Sequence, residues 1–405
     1  MKYGSWRSSR VGAVLLLATI SFAAVPFEGR HRKLSSPFLA PLGSVLSFQL
    51  TPDGSRAVYL GGPNFDGTSG LFSVEADGSA AAALLDSSTS AAPVRWFLLS
   101  PDGTRVVYAR DPGDDEIYSV PVDGGAAPVH LGSSSSVRIS PDSTRLAFRS
   151  LGSGGHLVSV PITGGASTQL ESMPVGENVE FLEFSADGAF VAFTTKVSVS
   201  PGVANLRVYR VAADGSTGAS LLGTWMSYGS LSLVTVTATE RVVLQARTTT
   251  GKPQLWSVPL DGTSSAALLH DPATWQVNST IATRVSASGE WLAFSVPVPA
   301  LQQSPLRSVR TDASGAALVI GQESQEGSFE FAGATESLVF KEGDALFSAP
   351  CDGSSTPLQL TPTLAPSHHL DSFQLAADGA RVTYIDVDLG ASTRELYSAS
   401  TGGGS

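Results

Sequence analysis

The sequence predicts an all-β fold built from one repeated unit, and three observations predict it. A tight-turn pattern of the Ser-Pro-Asp-Gly kind recurs along the 405 residues, clear in some copies and worn in others. Seven of the eight copies are followed by a short strand with an aromatic in register, and each copy then by a third strand that opens on an apolar residue. Only 15% of residues are charged, while 41 glycines and 24 prolines supply turns, a profile of many short strands and not of helices.

The turns are Thr51-Pro52-Asp53-Gly54, Ser100-Pro101-Asp102-Gly103, Ser140-Pro141-Asp142-Ser143 and Ser185-Ala186-Asp187-Gly188 in the first half of the chain. The degraded Thr237 to Glu240, Ser286-Ala287-Ser288-Gly289, Ala332 to Thr335 and Ala376-Ala377-Asp378-Gly379 follow in the second half. Their starts lie 49, 40, 45, 52, 49, 46 and 44 residues apart. A period of about 40 to 50 residues marks an array or a propeller, not a set of separate domains. Pro presets the first corner, Asp bonds to nearby backbone, Gly takes the left-handed φ, and the leading Ser or Thr can accept from turn amides.

The second strand carries Tyr59, Tyr108, Phe148, Phe193, Phe294, Phe340 and Tyr384, with Leu244 in a fifth unit one residue shorter. The third opens with Leu71, Ile117, Leu157, Val208, Leu255, Leu306, Leu346 and Leu396, eight copies that confirm the count. Pro121, Pro161, Pro259 and Pro350 share one position in it, which therefore belongs at the strand end beside the turn, where no ladder bond is lost. A short fourth strand follows, as in Pro128 to Leu131 or Pro357 to Leu360.

Four antiparallel strands per unit make one propeller blade, so the expected fold is a single β-propeller of eight four-stranded blades. Seven blades is the rival count. The eighth unit stops at Thr401 to Ser405, short of its fourth strand. A spare N-terminal segment around Arg32-Lys33-Leu34 is expected to complete that blade, closing the ring and covering a sheet edge.

Residues 1–23 read as a secretory signal: Lys2, Arg7 and Arg10 precede an apolar run from Val11 to Ile20, and Ser21-Phe22-Ala23 offers a cleavage site. The run is too short for a spanning helix, so no membrane span is expected after cleavage, and residues 24–405 form the propeller domain. Loss of the signal leaves 22 basic against 36 acidic residues, a net charge of about −14. That balance argues against nucleic acid as a partner. The lone Cys351 excludes an intramolecular disulfide framework.

From about Leu46 to Tyr397 the chain resembles the WD40-like repeats of TolB-type β-propellers. The resemblance rests on the Ser-Pro-Asp-Gly turn, the Arg-Val-Val-Tyr strand and the Ile-Tyr-Ser-Val-Pro-Val-Asp-Gly-Gly strand and turn around residues 100–125. It implies fold, not activity. TolB itself carries an α/β domain before its propeller, for which this chain has no room. Related propellers precede the catalytic domain of prolyl-oligopeptidase-like enzymes, yet no Gly-x-Ser-x-Gly elbow occurs here.

Candidate sites therefore lie where the repeats differ. The long-loop face is expected to gather Trp225 and Tyr228 after blade four, Trp275 after blade five, and His368 and His369 in the loop before blade eight. Such rings either stack on a ligand or fill gaps between blades. A second candidate is a polar column on the innermost strands, two residues before each turn: Gln49, Leu98, Arg138, Glu183, Thr235, Arg284, Glu330 and Gln374. Arg138 with Glu183, and Arg284 with Glu330, are expected to pair across adjacent blades, as interblade salt bridges or as a polar channel site.

No cofactor and no metal site are expected. Asp111, Asp114, Asp115 and Glu116 crowd one loop that could hold Ca²⁺, but they lack the spacing of a Ca²⁺ loop and read as a solvated acidic turn. Asp386 and Asp388 read the same way, His368-His369 has no third ligand, and Asn278-Ser279-Thr280 matches a glycosylation acceptor. The leading reading is a secreted or periplasmic binding module or scaffold for a protein or glycan of the cell envelope. The alternative is a channel-site propeller enzyme acting on polysaccharide, a lyase or hydrolase, and a purely structural envelope protein is the third.

Overall fold

The computed structural model carries the eight repeats as eight sheets. It describes residues 34 and 44–402 apart from 63–69, 88–92, 111–114, 135, 151–154, 172–177, 201–202, 229–231, 248–251, 271–281, 296–303, 324–327, 334, 377 and 392. Every helix or strand among the described residues is a strand. Seven sheets have four antiparallel strands and the last has three, each meandering so that neighbours in sequence are neighbours in space. The blades span 44–87, 94–133, 137–171, 178–228, 232–270, 282–323, 329–359 and 368–400. The count is eight, not seven, and the worn fifth and seventh units are full blades of this propeller.

Local hydrogen bonds explain why the turn recurs. In blade two, Asp102 accepts from the Ser100 hydroxyl at 2.5 Å and from the Thr104 N–H at 3.0 Å, while Ser100 Oγ accepts from the Arg105 N–H at 2.9 Å. The same set recurs at Thr51, Asp53 and Arg56, at Ser140, Asp142 and Arg145, and at Ser185, Asp187 and Phe190. These donors favour the ionised carboxylate, and the Thr51 hydroxyl is the main reason the Asp53 carboxyl is lowered to about 2. Gly103 closes the turn at φ +71°. Pro121, Pro161, Pro259 and Pro350 each end a third strand and accept through their carbonyls from Gly124, Gly164, Gly262 and Gly353, as expected of that position.

A second device ties strand two to strand three inside a blade. An Arg at the start of strand two donates through Nε to a Ser of strand three: Arg56 to Ser73, Arg105 to Ser119, Arg145 to Ser159, Arg241 to Ser257 and Arg381 to Ser398, all at 2.7–3.0 Å. Blades four and six replace the pair by an aromatic under an arginine. Arg210 lies 5.1 Å over the Phe190 ring and Arg310 lies 5.4 Å over the Trp291 ring. The contact changes from hydrogen bond to cation–π while the position keeps its task.

The core lies between blades. Leu71 of blade one packs with Phe97 and Tyr108 of blade two, and Leu346 of blade seven with Leu370, Val382 and Tyr384 of blade eight. Each such fully buried side chain contributes about 1.5–3 kcal/mol from burial. The aromatics also need room. A Cβ on Gly132, at φ +142°, would stand 2.7 Å from the Phe148 ring of the next blade, so strand four gives way there to a residue without one. Cys351 sits in the same kind of interface, and burial pushes its thiol up to about 12.

Among the described residues the expected N-terminal closure is not formed. Blade eight has three strands, and Leu34, the one described residue of the closing segment, belongs to no strand. Leu34 packs instead against Ala57, Tyr59 and Val74 of blade one. Apolar contact with blade one holds it without a ladder bond to the last blade. The signal segment, residues 1–23, lies outside the described residues. No helix among the described residues is long and apolar enough to cross a membrane.

Candidate functional site

The inner strands carry the polar column where the repeat register put it. Arg138 of blade three donates from Nε to Glu183 Oε2 of blade four at 2.9 Å, the expected interblade pair. Their side chains are 44% and 33% exposed, so the pair is bathed by solvent and not buried. An ion pair in that setting contributes about 0–1 kcal/mol.

The second expected pair is absent among the described residues. Arg284 donates from Nη1 to the Thr283 carbonyl at 2.9 Å, and its guanidinium lies 5.9 Å from the centre of the Phe329 ring. The aromatic beside Glu330 has captured the arginine expected to meet Glu330. No hydrogen bond or ion pair among the described residues engages the Glu330 carboxylate, which is exposed.

Glu330 faces a cavity of about 420 Å³, within the range of small-ligand sites. It reaches in from the first strand of blade seven, Phe329–Phe331. Ser372, Phe373 and Gln374 come from the first strand of blade eight, His368–Leu375. Thr383, Tyr384 and Ile385 come from the second strand, Arg381–Asp388, and Leu396 from the third, Thr393–Ser400. A β-bulge between Leu370 and Phe373 shifts the register of the first strand directly beside the cavity. Tyr384 is stacked on Tyr397 at 5.6 Å, which stiffens the aromatic part of the wall. Two members of the polar column, Glu330 and Gln374, thus meet a half-apolar hollow.

The other end of the same hairpin holds an ionic cluster. His368 Nδ1 lies 2.8 Å from Asp386 Oδ2, and its Nε2 lies 3.5 Å from Asp388 Oδ2. Asp386 is buried, and its Oδ1 has no hydrogen-bond partner among the described residues. The bond to Asp386 raises the His368 pKa, with the charges of Asp386, Asp388 and Glu395 adding to it. His368 and His369 open a strand instead of lying in a loop, a correction that follows from the bulge, which lengthens pairing to His368 opposite Asp388. Asp386 and Asp388 are likewise partners of a histidine and not a free acidic edge.

The aromatic candidates part company. Trp225 is not in a loop after blade four but in that blade's fourth strand, Ser220–Tyr228, because strands two to four of this blade run to 11, 10 and 9 residues. It is buried against the next blade, edge-on to Trp256 at 6.2 Å, so it fills an interblade gap. Tyr228 ends the same strand, its backbone opposite Val203. Trp275 and the Asn278-Ser279-Thr280 acceptor lie outside the described residues.

Of the acidic run, Asp111 and Asp114 lie outside the described residues. Asp115 stands 3.7 Å from Arg95, and Glu116 accepts from Ser133 Oγ at 2.8 Å and contacts His130, so both are engaged by side chains of the protein. No group of three or more His, Cys, Asp or Glu among the described residues is arranged to hold a metal ion. A half-buried pair that the residue pattern did not announce joins blades one and two: Arg110 donates from Nε to Asp86 Oδ2 at 2.5 Å and from Nη2 to Oδ1, under a cation–π contact with Tyr118 at 5.0 Å.

No family model and no curated protein matches this chain. Among solved structures it is similar to prolyl oligopeptidase B from Galerina marginata bound to a 35-mer hydrolysis and macrocyclization substrate. That likeness has a TM-score of 0.51 at 11% identity and covers 86% of this chain and 55% of that one. A prolyl endopeptidase matches with a TM-score of 0.49 at 12% identity over 85% and 54% of the two chains. An oligogalacturonate lyase in complex with manganese matches with 0.48 at 10% identity over 88% and 97%. The chain spans about half the length of the prolyl peptidases. At these identities the likeness is one of fold, the all-β propeller already described.

Proposed function

We propose that this chain is a binding module, periplasmic or secreted, that holds a glycan or protein of the cell envelope in the blade-eight cavity. The observation that carries the reading is the meeting of Glu330 and Gln374 with the hydroxyls of Ser372 and Thr383 and the apolar Ile385 and Leu396 in one hollow. A few polar groups set against apolar walls are what a specific ligand site requires. The leader-like residues 1–23 support the compartment, and the Ser-Pro-Asp-Gly turns support a place among TolB-type, WD40-like propellers. The test is a glycan array together with a pull-down from envelope extract, run with the wild type and Gln374→Ala. Retention of a glycan or protein that Gln374→Ala loses is expected; silence in both assays would favour a structural role.

A second reading, a polysaccharide lyase or hydrolase, is favoured by His368 on buried Asp386, an arrangement that orients an imidazole. Two facts weigh against it. Both ring nitrogens face carboxylates, and the raised pKa favours the charged ring, which has no lone pair with which to take a proton. Polysaccharide turnover that His368→Gln abolishes would promote this reading over the first.

A further inference from the structure

We infer that the blade-eight cavity selects a saccharide carrying a protonated amine, an amino sugar, over neutral and acidic saccharides; the inference rests on the binding-module reading. The cavity holds one ionisable carboxylate, Glu330, and none of its lining residues is a Lys, Arg or His. The neighbouring cation, Arg284, is turned onto Phe329 and the Thr283 carbonyl and makes no ion pair with Glu330. A carboxylate facing a hollow without a counter-charge attracts a cationic ligand and repels an anionic one.

The chain as a whole is acidic, at −11, so the field in its clefts adds to the same preference. The remaining chemistry fits a sugar. Ser372 and Thr383 each offer a hydroxyl that donates and accepts, and the Gln374 amide offers both donors and an acceptor. Leu396, 72% exposed at the rim, presents apolar surface to the C–H face of a pyranose ring. A ligand with many hydroxyls, one flat apolar side and one ammonium group satisfies all of these at once.

The experiment is calorimetric titration of the full chain, below neutral pH, with three tetramers: fully deacetylated glucosamine, its N-acetylated counterpart and oligogalacturonate. The free-amine tetramer is expected to bind at least about tenfold tighter than the acetylated one, a factor of ten being about 1.4 kcal/mol, with the galacturonate weakest. Glu330→Gln is expected to abolish the preference by weakening the free-amine tetramer more than the acetylated one, and Gln374→Leu to weaken both glucosamine forms. The melting temperature of Glu330→Gln should match the wild type, since the side chain is exposed and has no hydrogen-bond or ion-pair partner among the described residues. Equal binding of the amine and acetylated forms, or tighter binding of galacturonate, overturns the amine preference and leaves the binding module standing. No binding by any of the three overturns the amino-sugar inference, and an empty glycan array and pull-down alongside it overturn the module as well.

Discussion

Blade eight in its third strand and blade one in its first expose side chains whose counterparts in neighbouring blades are buried. Leu71, Ile117, Leu157, Leu255, Leu306 and Leu346 occupy the first apolar position of strand three, and all are fully buried. Leu396 occupies it in blade eight and is 72% exposed. Phe97 precedes the turn of blade two and is buried, whereas Phe48, its counterpart in blade one, is 68% exposed. Identical strand positions thus acquire opposite environments. In a repeat fold the hydrophobic energy of a position belongs to the contact with the next blade, not to the residue.

The largest expected effect tests that comparison directly. Leu346→Ala should cost about 2–5 kcal/mol, because a buried leucine between blades seven and eight leaves a cavity when cut back. Leu396→Ala should stay within about 0.5 kcal/mol, as exposed substitutions do. Urea denaturation of both variants decides it, and equal losses would mean that Leu396 is packed in solution.

A smaller effect is expected in the column. Arg138→Ala should cost at most about 1 kcal/mol, since its pair with Glu183 is solvent-exposed. A drop in melting temperature comparable to that of Leu346→Ala would show the pair to be structural. The smallest effect is a slope. The His368 pKa is raised in the fold by Asp386, so its stabilisation is complete below the unfolded histidine value, about 6.5, and is lost as pH rises through the folded one. The wild-type melting temperature should therefore fall relative to His368→Gln across that interval, and parallel curves for the two proteins would remove the ionic role of the cluster.

The turn residues were legible because their bonds are local. Asp102 and Ser100 satisfy each other and the amides two to five residues away, so four letters suffice to announce the device. The His368 cluster was half legible. Counting back from the Ala376 to Gly379 turn without a bulge sets His369 opposite Asp388, whereas the bulge between Leu370 and Phe373 moves the pairing by one and brings in His368. Arg110 and Asp86 were not legible, since they stand on different blades and the other copies carry different residues at the matching positions, such as Glu171 and His270 in place of Asp86. Trp225 was misplaced because the length of the blade-four hairpin hid a strand where the pattern showed a loop.

The sequence by itself determined the number of blades, the strand order within each and the end at which the turns lie, because those follow from contacts within some 50 residues that every copy repeats. Only the tertiary structure decided which charges meet. Arg138 found Glu183, Arg284 went to Phe329, and Glu330 was left facing a hollow. Pairings between blades depend on side-chain reach across a gap, and one aromatic neighbour can redirect an arginine. The repeat supplies the scaffold, and the site arises where adjacent copies fail to match.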